Sequence, residues 1–179
     1  ARVLAGLDTE TDPKTGIPFL LSYSTDDTEA WSLVNEDNWL DLLTSCNFEG
    51  RINFFFNMQY DIEGFLKFLP PDMLSRLYFD KRVIYNGCLL KYIPKKFFEI
   101  RKGRHIFKYY DLWQYFNTSL EVASQKYLGQ GKAGDYGADM DPKRFFSDRE
   151  YHDNVVNYCM VDSERCRQLA HFLFDTFLE

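Results

Sequence analysis

Between Asp148 and Glu179 apolar side chains recur in steps of four and three, through Val155, Cys159, Cys166, Leu169 and Leu173. This period predicts one long helix, or two abutting helices, with a single buried stripe. One acid, Asp162, stands where that stripe asks for an apolar residue. An ionised carboxylate there is costly unless it is paired or bound to a metal. Tyr158 precedes it by one helical turn, which sets its hydroxyl on the same side. Taken alone, Asp162 is equally well explained as a buried acid satisfied by an arginine or by backbone donors.

The rest of the chain reads as strands first and helices later. Val3 to Asp8 and Phe19 to Ser24 are apolar runs separated by a turn at Pro13 and Gly16, and Glu29 to Leu33 is a third strand. Glu36 to Cys46 has helical spacing with Asn35 as its cap, Arg51 to Phe56 is a buried strand, and Tyr60 to Leu69 is a helix stopped by Pro70 and Pro71. Two alternating runs around Gly103 predict a β-hairpin within Lys91 to Tyr110. Asp111 to Phe116 and Ser119 to Leu128 read as short helices, the second capped by Ser119 and ended at Gly129. Three leading strands, then alternating elements and a closing helix, predict a mixed-sheet α/β fold. At 179 residues the length favours one domain over 1–179, with the hairpin at about 91–110 as an elaboration.

Composition excludes several classes. Hydrophobic residues make up 45% and charged residues 27%, which argues against disorder, collagen and coiled coil. No apolar run approaches the roughly 18 residues of a membrane span, and acids occupy the first 20 residues where a secretory leader is greasy. The expectation is a cytoplasmic chain, neither secreted nor bound to membrane. It opens on Ala1, as a processed form or a piece of a longer chain would. Cys46, Cys88, Cys159 and Cys166 form no CxxC pair and have no zinc spacing with the three histidines, so buried free thiols are expected. The net charge is −6, yet Lys91 to Lys108 holds seven Lys or Arg against Glu99, leaving the remainder at −12. Such a split suits a phosphate-binding surface beside a carboxylate metal site. It also suits a solvated hairpin whose lysines discourage edge pairing.

Three further acids sit at element boundaries. Asp8 and Glu10 lie two apart at the end of an apolar strand, so both project to one face, where like charges repel unless a cation bridges them. Asp61 opens the helix after the buried strand, where the macrodipole favours an acid. Four carboxylates without a His or Cys ligand set suit Mg²⁺ or Mn²⁺. Paired metals about 3.5 to 4 Å apart clamp the attacking and leaving oxygens of a phosphodiester displacement. The chemistry implied is metal-assisted phosphodiester hydrolysis.

These residues resemble the three motifs of the DEDD exonucleases, a superfamily with the ribonuclease H-like fold. Asp8-Thr9-Glu10 is similar to D-x-E, Asn57 to Asp61 to N-x-x-(F/Y)-D, and Tyr158 to Asp162 to Y-x-x-x-D. The tyrosine form of the third motif resembles the proofreading branch, and the finer likeness is to the editing domain of protein-primed family B DNA polymerases. The resemblance implies a ribonuclease H-like mixed sheet flanked by helices, with an extra β-hairpin. It implies 3′–5′ exonuclease activity on the 3′ end of single-stranded DNA, in proofreading or end processing. It further implies two Mg²⁺ or Mn²⁺ ions on Asp8, Glu10, Asp61 and Asp162, with Tyr158 orienting the attacking water. By the same likeness Thr11, Asn57, Tyr60, Ser119, Leu120 and Tyr136 touch the strand, and Lys132 supports catalysis. The loop around Lys132 departs from the family spacing, with Ala133 after the lysine. A polymerase or other replication protein, in cis or in trans, is the implied partner. Two other readings stay open: an exoribonuclease of the same fold, and a catalytically silent binding module.

Overall fold

The computed structural model describes residues 3–131, 136 and 139–177. The three leading runs are antiparallel strands β1 (Leu4–Thr11), β2 (Pro18–Ser24) and β3 (Glu29–Leu33). A short helix, α1 (Trp39–Leu43), leads to β4 (Ile52–Phe55), which pairs parallel with β1. The helix expected over 36–46 is therefore much shorter. The Asn35 carboxamide accepts from the N–H groups of Asp37 and Asn38, closing a turn before α1 instead of capping it.

α2 (Met58–Leu66) begins two residues earlier than expected, behind Asn57 in left-handed backbone at φ 67°. Asparagine tolerates that conformation better than most side chains. Pro71 opens a further helix, α3 (Pro71–Asp80), at a position where its missing N–H has no intrahelical partner to lose. β5 (Arg82–Tyr85) and β6 (Cys88–Ile93) follow, joined by Asn86-Gly87 with both residues at positive φ. Neither α3 nor this hairpin is among the sequence expectations, although Asn-Gly between apolar runs is the usual signal for such a turn.

The hairpin expected within 91–110 is present as β7 (Phe97–Lys102) and β8 (His105–Asp111), turning through Gly103 at φ 60°. Its second strand is built into the sheet, because β8 pairs parallel with β4. The result is one eight-stranded mixed sheet in the order β3-β2-β1-β4-β8-β7-β6-β5. Asp111 ends β8 instead of opening a helix, and α4 (Trp113–Phe116) starts two residues later. α5 (Leu120–Ala123) continues into a π-helical turn (Ser124–Leu128) that ends at Gly129, φ 66°. α6 (Pro142–Ser147) precedes α7 (Arg149–Phe177), which is a single unbroken helix.

Helices cover both faces of the sheet. On one side Trp39, Phe65 and Leu77 pack with Leu7, Phe55, Leu90 and Tyr109. On the other, Cys166, Leu169 and Leu173 of α7 pack with Leu4 and Phe54. α7 comes unusually close to β1 at Gly6, where a Cβ would lie 2.2 Å from the Ser163 carbonyl oxygen and 2.4 Å from the Arg167 nitrogen. Only glycine admits a helix backbone at that distance. The four cysteines are free, and Cys88, Cys159 and Cys166 are buried; Cys46 is exposed, contrary to expectation, because it follows the short α1 instead of lying within a longer helix. Among the described residues, no helix is long and apolar enough to cross a membrane.

Candidate active site

β1 carries Asp8 and Glu10 on the same side as Gly6, the side on which α7 lies. Two hydrogen bonds fix α7 there: the Cys159 thiol donates to the Asp8 backbone carbonyl at 3.6 Å, and Ser22 Oγ donates to the Cys159 carbonyl at 2.8 Å. One ligand atom each from Asp8, Glu10 and Cys159 falls within 4.8 Å of the others. Asp162 stands one turn beyond Cys159 on α7. Asp61, 3% exposed in the first turn of α2, accepts a short hydrogen bond from the Thr9 hydroxyl. Three elements thus deliver four carboxylates to the ends of β1 and β4.

Burial and neighbouring charges both shift these carboxyl groups. Burial holds the Asp8 carboxyl well above the usual range, and the charges of Asp162, Glu10 and Asp61 add to it. Glu10 is pushed up to about 9 by burial, then by Asp162 and Asp61. Asp61 is pushed up to about 7 by burial, against the lowering effect of the Thr9 hydrogen bonds. Asp162 also reaches about 7 through burial, with Arg165 opposing and Glu121 reinforcing the rise, while a hydrogen bond from Tyr158 favours its ionised form. Two ionised carboxylates about 5 Å apart repel by roughly 3 kcal/mol at an effective dielectric of 20. A divalent cation removes that penalty, and oxygen donors in this number suit a hard ion. The donor set therefore fits Mg²⁺ or Mn²⁺ on Asp8, Glu10, Asp61 and Asp162. The Cys159 thiol is held protonated by burial and by Asp8 and Glu10, which keeps it a neighbour of this oxygen set.

The other expected site residues are distributed unevenly. The Tyr158 ring packs edge-on against Tyr136, with centroids 5.2 Å apart. Thr11 and Tyr60 share a short hydroxyl–hydroxyl hydrogen bond, and Tyr60 is 55% exposed. Asn57 is exposed, and its backbone N–H donates to Asp111 Oδ1 at 3.0 Å. Ser119 and Leu120 have structural occupations: Ser119 Oγ accepts from the Val122 N–H at 3.1 Å, and Leu120 packs against the α7 core. Lys132 lies outside the described residues.

Asp111 and Cys159 are not among the site residues expected from sequence. Asp111 is buried at the end of β8, accepts from the N–H groups of Asn57 and Trp113, and raises the Asp61 carboxyl by its charge. An acid closing an apolar strand is the signal that singles out Asp8, and it applies equally to Asp111. Beside it opens a groove of about 650 Å³, lined by Asn57, Lys95, Lys96, Asp111, Trp113 and Gln114 among others.

No family model matches the chain, and no curated protein matches it. Three solved structures of Phi29 DNA polymerase are similar to it. The complex with single-stranded DNA has a TM-score of 0.63 at 12% identity. The post-translocation binary complex with primer-template DNA has 0.61 at 12%, and the ternary complex with primer-template DNA and incoming nucleotide substrates has 0.60 at 11%. Each match covers 100% of this chain and 32% of the polymerase chain. At these identities the likeness concerns the fold, and the eight-stranded mixed sheet flanked by helices is consistent with a ribonuclease H-like architecture.

Proposed function

We propose that this chain is a metal-dependent 3′–5′ exonuclease that removes nucleotides from the end of single-stranded DNA. The observation that carries the reading is the convergence of Asp8, Glu10, Asp61 and Asp162 from β1, α2 and α7: burial raises every one of them, and the charges of Asp61 and Asp162 raise both Asp8 and Glu10. Supporting it are the likeness of the fold to a polymerase solved with single-stranded DNA and the three sequence motifs. Asp8, Glu10, Asp61 and Asp162 are the residues that hold two Mg²⁺ or Mn²⁺ ions. Bound there, the ions supply Lewis-acid polarisation of the phosphate and a nucleophilic water near neutral pH.

The chain's own groups orient and stabilise. Thr9 fixes the Asp61 carboxylate through its hydroxyl, and the Ser22 and Cys159 contacts hold the α7 register that presents Asp162 to β1. Tyr158 donates to Asp162 and positions the attacking water, a contribution of geometry rather than of basicity. Exposed Tyr60, tethered to Thr11, offers a ring on which a terminal base stacks. A polymerase or other replication protein is the partner that this activity serves. The test is a time course on 5′-labelled single-stranded DNA, duplex DNA and RNA, with and without Mg²⁺. The expected result is stepwise shortening of the DNA single strand with Mg²⁺ only, nearly abolished by Asp8→Ala with Glu10→Ala in a variant that remains folded. Digestion unchanged by that double substitution rejects this site, and preference for RNA assigns an exoribonuclease.

A further inference from the structure

The α7 side of the sheet is covered over β1, β2 and β4, while β5 and β6 contact α3 and β8 contacts α2 on the opposite side, where Phe98 and Ile100 of β7 join the same core. Alternation along the strands therefore turns Arg82 and Ile84, Leu89 and Lys91, Glu99 and Arg101, and Ile106 and Lys108 toward the open side. Register aligns them in two cross-strand rows. Arg82, Lys91, Glu99 and Lys108 form one; Ile84, Leu89, Arg101 and Ile106 form the next.

Glu99 is 5% exposed at the centre of the charged row. Arg101 Nε lies 2.9 Å from its carboxylate, Lys108 Nζ 3.7 Å and Lys91 Nζ 3.9 Å. One carboxylate neutralises one of these three cations, and Arg82 closes the same row. The buried acid thus fixes the positions of cations whose outer surfaces stay in solvent. Ile84 and Ile106 are exposed beside them, at 66% and 38%. Fixed cations interleaved with exposed apolar groups suit a nucleic-acid strand, whose phosphates meet the charges while its bases cover the apolar row.

We propose that this open face of β5 to β8 binds the phosphodiester backbone of a single strand whose end occupies the carboxylate site, which deepens the exonuclease reading and rests on it for the identity of the strand. The face and Asp8 lie on the same side of the sheet. The face begins at β8, two interstrand steps from β1, and ends at β5, five steps from it, which is about 10 to 24 Å at about 4.8 Å each. At about 3.4 Å per stacked nucleotide this is roughly three to seven nucleotides from the end. The face therefore grips long strands and not short ones.

The experiment measures binding without divalent ions, so that hydrolysis plays no part. A labelled 20-nucleotide oligothymidylate is titrated with the wild-type chain and with Arg82→Gln/Lys108→Gln, which leaves Lys91 and Arg101 on Glu99; a 2-nucleotide oligomer, too short to reach β8, is followed by competition. The expected result is about tenfold weaker binding of the long strand, with the short one changed less than about twofold. The slope of log affinity against log salt falls by about 1.4 for two lost phosphate contacts. Arg82→Lys/Lys108→Arg, which keeps the charges, restores the long-strand affinity. Undiminished long-strand binding, equal losses at both lengths, or failure of the charge-keeping pair to restore binding overturns the proposal. A shift in oligomeric state with unchanged DNA binding assigns the face to protein association and overturns it too. Length-dependent binding by a chain that digests nothing leaves this face standing and rejects the nuclease reading alone.

Discussion

Glu10 is almost wholly buried, yet it faces other carboxylates, and the consequence is a proton inventory opposite to that of most acids. Its carboxyl is pushed up to about 9, and those of Asp61 and Asp162 to about 7. Unfolded, the same groups release their protons near pH 4. Between these limits the native state holds more protons than the unfolded state, so this cluster's contribution to stability is full below about pH 4 and is lost as pH rises through 7 to 9. The expected outcome is a metal-free chain whose melting temperature falls from pH 5 to pH 9, read by calorimetry, and a flatter profile for Glu10→Gln. A slope unaffected by that substitution would place the titration elsewhere. Tyr158 belongs to the same scale. Replacing it with Phe removes the hydroxyl while keeping the ring packed on Tyr136, and kcat is expected to fall by about 100-fold with the Mn²⁺ requirement unchanged. The four acids and Tyr158 are legible in the sequence because each breaks a local pattern or sits at a fixed spacing. Cys159 is legible only as an apolar position, since its thiol contact depends on where α7 lies on β1.

α7 is held by its stripe, and each buried Val or Leu contributes about 1.5 to 3 kcal/mol. Val155, Leu169 and Leu173 together exceed the roughly 3 kcal/mol repulsion of a carboxylate pair, so the helix keeps Asp162 against β1 without help from charge. The approach depends on Gly6. Gly6→Ala sets a methyl group against backbone atoms that cannot rotate away, and a loss of about 2 to 3 kcal/mol is expected in urea unfolding, with activity reduced further in whatever fraction stays folded. Stability within about 0.5 kcal/mol of wild type would show that α7 can shift. The helical period after Asp148, the Ser119 cap and the Gly103 turn are readable from local signals, whereas the choice of one unbroken helix over two abutting ones is not. The length of α1 is not, because Asn35 and Asn38 spend their side chains on a turn that competes with the helix. α3 escapes a local reading because Pro71 reads as a stop, although the same residue is favoured at a helix start.

Across the whole molecule, acids gather at the pole where β1 and β4 end while bases gather on the open half of the sheet. This separation predicts the response to metal. With free Mn²⁺ at about 100 times its dissociation constant, binding contributes about 2.7 kcal/mol, or roughly 5 to 10 °C in melting temperature for a chain of this size. Asp8→Ala with Glu10→Ala should abolish the shift, and a full shift in that variant would locate the ion elsewhere. The amino-acid sequence by itself determined the mixed α/β class and the helical period after Asp148, because hydrophobic period and residue spacing act over a few residues; that this stretch is one unbroken helix was decided by the fold. The sequence did not determine that β8 enters the sheet beside β4, that Asp111 joins Asp61, or that Arg82, Lys91 and Lys108 align around Glu99. Those depend on pairing register between strands distant along the chain, and only the folded sheet sets that register.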